Sequence, residues 1–109
     1  MPYNKDIEAR INQFVSVWKD TLQKNMFGGV CYLLKGNMFC GVYKDSLILR
    51  LGEDRAKKAL TLPSVSPFDI TGKPMKGWVM VGQAGFKSDE DLKRWLTEAR
   101  DFAGHLPPK

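Results

Sequence analysis

The sequence predicts an α+β domain of two layers, an antiparallel sheet with helices packed on one face. Apolar residues recur at helical spacing near both ends of the chain, while the centre is broken by turn signals into short runs rich in branched and aromatic residues. The links between those runs are of hairpin length, which favours antiparallel pairing. The expected order is α-β-β-β-α-β(-β)-α, as one domain over residues 1–109 with no internal repeat and no low-complexity segment.

The first helix is expected from about residue 5 to 24, with Ile7, Ile11, Phe14, Val15, Trp18 and Leu22 on its buried stripe. Asn4 is placed to cap it, and Asp6 and Glu8 stand in the first turn, where the helix dipole favours acids. Gly28-Gly29 then breaks the chain before VCYLLKGNMFCGVYKDSLILRL, which reads as three strands separated by Gly36-Asn37 and Lys44-Asp45-Ser46. GEDRAKKAL makes a short second helix, with acids at its start and lysines at its end. Residues 61–74 hold three prolines and read as a long connection pinned by Val65, Phe68 and Ile70. Gly77-Trp78-Val79-Met80-Val81 is the last clear strand, with Phe68-Asp69-Ile70 a shorter one beside it. Ser88 and Asp91 form a capping box for a last helix whose stripe is Leu92, Trp95, Leu96, Ala99, Phe102 and Ala103.

With Gly36-Asn37 as a two-residue II′ turn, Leu33 opposes Cys40 and Cys31 opposes Val42. One face then carries Cys31, Leu33, Met38, Cys40 and Val42, and the other carries Val30, Tyr32, Leu34, Phe39, Gly41 and Tyr43. The two cysteines become diagonal neighbours with Cβ atoms about 7 Å apart, too far for a disulfide, and read as small core residues.

A composition of 43% hydrophobic and 27% charged residues is that of a globular domain able to fold without staples. The amino terminus mixes charges of both signs and has no unbroken apolar run, so a secretory signal or membrane span is not expected. Two cysteines without an export signal are expected to stay reduced, which places the protein in the cytoplasm with no membrane partner. The net charge of +5 is concentrated in residues 28–87, since residues 1–27 carry +1 and residues 88–109 carry −1. A basic centre attracts acidic proteins, nucleic acid or small anions.

Three stretches then stand out together: Met26-Phe27-Gly28-Gly29-Val30, Gly36-Asn37-Met38-Phe39-Cys40-Gly41-Val42, and Pro67-Phe68-Asp69 with Pro74-Met75-Lys76-Gly77-Trp78-Val79. In combination they resemble the N-terminal domain of the TfoX (Sxy) regulators of bacterial natural competence, from about Asn4 to Pro108. The resemblance implies a two-layer α+β domain in bacterial regulators that promote transcription of competence genes alongside the cyclic-AMP receptor protein. Full-length regulators of that family carry a second, C-terminal helical domain, and Pro107-Pro108-Lys109 lies about where a linker to it would begin. The family brings no established catalytic residues to carry over.

The residues themselves point the same way. The single histidine, His105, is remote in sequence from Cys31 and Cys40, and three such residues do not make a zinc site, so neither metal nor cofactor is expected. Gly28-Gly29 lacks the spacing and the following Lys-Ser/Thr of a phosphate-binding loop. The expected role is therefore non-enzymatic: a regulatory or interaction domain that docks a protein partner, or a second copy of itself, through Tyr32, Phe39, Tyr43 and Arg50 on the sheet or through the loop of residues 61–77. The alternative is nucleic-acid binding by that aromatic and basic face, although the RRM signature is not met. A small-anion site built from Arg50, Asp69, Lys73 and Lys76 is the third reading.

Overall fold

A computed structural model describes residues 4–26, 29–68 and 76–107. Helix α1 (Lys5–Val15) is followed by four strands, β1 (Thr21–Met26), β2 (Gly29–Leu34), β3 (Asn37–Tyr43) and β4 (Ser46–Arg50). Helix α2 (Glu53–Ala59), strands β5 (Val65–Pro67) and β6 (Trp78–Val81), a 3₁₀ turn at Gln83–Phe86 and helix α3 (Asp89–Gly104) complete the order. The strands form one antiparallel sheet in the order β1-β2-β3-β4-β6-β5, and the helices pack on one of its faces, as expected for the fold class.

The caps form where the sequence places them. Asn4 Oδ1 accepts from the backbone N–H of Asp6 at 2.8 Å, and Ser88 Oγ accepts from that of Asp91 at 3.1 Å. The first helix, however, stops at Val15 instead of running to residue 24. Asp20 takes a positive φ of 64°, and the Thr21 hydroxyl donates to the carbonyls of Val15 and Trp18, closing the turn that releases the chain into β1. Thr21–Met26 is thus an edge strand on β2, and Leu22, expected on the helix stripe, is 64% exposed.

The β2–β3 hairpin also differs from its expected register. Its central residues are Lys35 and Gly36, both at positive φ (51° and 87°), which is the I′ form, so Leu34 pairs with Asn37. The register then slips between Tyr32 and Leu33, because Tyr32 pairs with Cys40 and Leu33 with Met38, leaving Phe39 as the extra residue of a bulge. A bulge breaks strict alternation, and here it turns both Phe39 and Cys40 toward the helices.

The core lies between the sheet and the three helices. Ile7, Ile11 and Val15 of α1, Ala56 and Ala59 of α2, and Leu92, Trp95, Leu96, Ala99 and Ala103 of α3 form one cluster with Val30, Tyr32, Phe39, Val42, Leu47, Leu49, Val79 and Val81. Its polar groups are satisfied. The Tyr32 hydroxyl donates to Asn12 Oδ1 at 2.9 Å, and Trp95 Nε1 donates to the Gly85 carbonyl at 3.0 Å. Phe68 lies just past the strand that pairs with β6, its ring 5.8 Å from that of Trp78 between centroids. That strand is Val65–Pro67, while Asp69 and Ile70 lie outside the described residues.

Candidate interaction face

The second face of the sheet carries no helix among the described residues. Its central row can be followed across all six strands through the pairs Lys24 with Cys31, Cys31 with Gly41, Gly41 with Ile48, Ile48 with Met80, and Met80 with Ser66. Beside this row, along one and the same side of it, stand Leu22, Leu33, Met38, Arg50 and Trp78. Cys31 and Ile48 are 2% and 4% exposed yet stand outside the helix-facing cluster. Gly41 lets the chain and Met38 approach closely: a Cβ there would lie 2.7 Å from the Val30 carbonyl oxygen and 3.1 Å from Met38 Cε. The Met38 methyl therefore rests over the glycine and smooths the centre of the face. Leu33, Met38, Tyr43, Trp78 and Met80 remain half-buried and Leu22 exposed.

The sequence-predicted partner residues divide between the two faces. Tyr32 and Phe39 are 1% and 0% exposed and belong to the helix-covered core, a correction to the expected aromatic face. Tyr32 and Phe39 keep the common face expected of them, but it is this face that the helices cap, and the earlier turn with the bulge moves Cys40 and Val42 onto it and Gly41 and Tyr43 off it. Tyr43 lies on the open face, with Lys44 Nζ 5.4 Å from its ring centre. Arg50 lies at the end of β4, its guanidinium 5.5 Å from the Trp78 ring and 5.6 Å from the Phe102 ring. The apolar residues Leu33, Met38, Ile48 and Met80 escape a reading based on aromatic content. Their signal was the period-two pattern, since SLILR and WVMV put apolar residues at outward as well as inward positions.

Of the expected anion site, Asp69 and Lys73 lie outside the described residues, and the structure bears on Arg50 and Lys76 alone. Lys76 is exposed beside Gly77, whose carbonyl accepts from the N–H groups of Leu51 (2.8 Å) and Gly52 (3.2 Å) and so ties this loop to the end of β4. It borders a cavity of about 250 Å³ walled by Ala56, Leu60, Pro67 and Trp78, with Lys57 and Glu53 at its side. Arg50 makes no ion pair among the described residues.

Cys31 and Cys40 are both free thiols, but the bulge sets them on opposite faces of the sheet, not diagonally on one. Burial pushes the Cys40 thiol well above 9.0, and the Cys31 sulfur adds to the effect. Burial also raises Cys31, with the Lys24 ammonium pulling it part of the way back. Because the native state holds these protons more tightly than the unfolded chain, the stability they contribute is complete below the ordinary thiol range. It is lost as pH rises through the folded values. At pH 8 the native protein should react with a thiol-disulfide dye on the order of tenfold or more slower than the urea-unfolded chain. Equal rates for the two forms would show that the thiols are neither buried nor raised.

Among the described residues no cluster of three or more His, Cys, Asp or Glu is placed to hold a metal ion, and no helix is long and apolar enough to cross a membrane. Among the described residues the sheet is clad by helices on one side, and its other side is largely apolar. Residues 12–103 match the family model described as the TfoX N-terminal domain, and the chain belongs to that family. No curated protein and no solved structure matches it.

Proposed function

We propose that the protein is a cytoplasmic regulatory domain that works by protein–protein contact through its helix-free sheet face. The observation that carries this reading is the apolar row through Ile48 and Met80, flanked by Leu33 and Met38, on a side of the sheet that no described helix covers. Covering such a surface removes apolar area from water at about 25 cal/mol per Å², the usual driving force of association. Family membership supports a regulatory role and leaves the contact mode to the face itself.

A second reading, nucleic-acid binding, is favoured by one observation: the charged groups at strand positions of this face, Lys24 and Arg50, are both cations. The double variant Leu33→Lys with Met80→Lys separates the two. Under protein contact, proteins retained by the tagged chain from a nuclease-treated bacterial lysate should fall by about tenfold or more in the variant, since each lysine places a charge in an apolar interface. Under nucleic-acid binding the same lysines strengthen the affinity for labelled DNA and steepen its salt dependence beyond a log-log slope of about −2 to −4. Retention unchanged by the variant, or abolished by nuclease alone, would overturn the proposal.

A further inference from the structure

We infer that the open face receives an acidic amphipathic helix of a partner protein. This rests on the protein-contact reading above and adds the chemistry of the occupant. The apolar centre spans β2, β3, β4 and β6, which at about 4.8 Å between strands is roughly 14 Å wide. A single helix with its side chains is about 10–12 Å across, so one helix fills that width. Met38 and Met80 stand on either side of the centre, and unbranched thioether side chains adapt to the ridges of a docked helix.

Charge selects the sign of the occupant. The described strand positions of this face carry Lys24 at one side and Arg50 at the other and no carboxylate, and Lys44 reaches over Tyr43 at the hairpin end. The nearest turn acid, Asp45, accepts a hydrogen bond from Asn4 Nδ2 at 3.1 Å and is engaged toward the helix layer. Arg50 lies near the Trp78 ring of β6 and the Phe102 ring of α3 without an ion pair among the described residues, which leaves its guanidinium free to meet an incoming carboxylate at that end of the sheet. A second copy of this chain would bring the same cations toward one another, which disfavours a face-to-face homodimer.

The test is selection from a phage-displayed library of random peptides of about 16 residues, long enough for roughly 24 Å of helix, against the full chain. The expected consensus has a net negative charge and apolar residues spaced i, i+3 or i+4, and i+7. Synthetic versions of the selected peptides should bind at least about tenfold more weakly to Met80→Glu, and similarly to the charge reversal Lys24→Glu with Arg50→Glu, which leaves the apolar centre intact. Circular dichroism melting confirms that each variant is folded. Peptides that are lost in Met80→Glu but carry no acidic excess overturn the inference while leaving the protein-contact reading standing. Absence of enrichment, or peptides that bind both variants as well as the wild type, overturns both. Displacement of bound peptide by an equimolar DNA oligonucleotide, or self-association abolished by Met80→Glu, assigns the face to nucleic acid or to a second copy and overturns the inference.

Discussion

Replacing Phe39 with alanine is expected to lower the stability of the domain by about 3–5 kcal/mol. The ring is fully buried, lies 6.2 Å from the Trp18 ring between centroids, and is the extra residue that the β3 bulge turns toward the helices. Truncation would leave a hole of ring size under α1 and α3, and neither layer can close it without breaking its own packing. Against a total of roughly 5–15 kcal/mol for a domain, such a loss moves the urea midpoint sharply and lowers the melting temperature by on the order of 15 °C. Tyr43→Ala is the control, because that ring lies on the open face and its loss should cost under about 1 kcal/mol. If Phe39→Ala melted like the wild type, the ring would be on the surface and the assignment of faces would be reversed.

Gly29→Ala should come next, at the upper end of the roughly 1–3 kcal/mol typical of overpacking. A Cβ at this position runs into the carbonyl oxygen of Val42 on the neighbouring strand. That obstacle is backbone and cannot rotate away, so β2 and β3 would have to part at the pairing of Val30 with Val42. Chemical unfolding of Gly29→Ala beside Gly82→Ala is the measurement, because a Cβ at Gly82 meets nothing closer than the Ser64 carbonyl oxygen at 3.6 Å. Equal unfolding midpoints for the two variants would mean that the strands are not so closely apposed at residue 29.

Much of the architecture was legible from local signals. Asn4 and Ser88 announced two helix starts because a short polar side chain followed by acids and an apolar stripe satisfies the free N–H groups there. The stripe of α3 was readable because its period is long and regular. The end of α1 was not, because Trp18 and Leu22 continue the helical spacing past Val15. What overrides that spacing is pairing with β2, a contact between segments whose proximity no local pattern reveals. Tyr32 and Phe39 share one face, as the alternation of the hairpin predicts, but that face is the one the helices cover, and the slip of register carries Tyr43 to the opposite side.

The residues alone determined the fold class, the helix starts, the cationic middle of the chain and the family resemblance, since each is written in composition, spacing or short motifs. Only the tertiary structure decided which side chains of the β2–β3 hairpin face the helices and which face out. A strand turns over its whole set of side chains when its register moves by one residue, and a bulge does so part of the way along. That choice is made by the packing of Phe39 and Tyr32 beneath α1 and α3, a long-range contact. It leaves the half-buried Leu33, Met38 and Met80 on the face away from the helices.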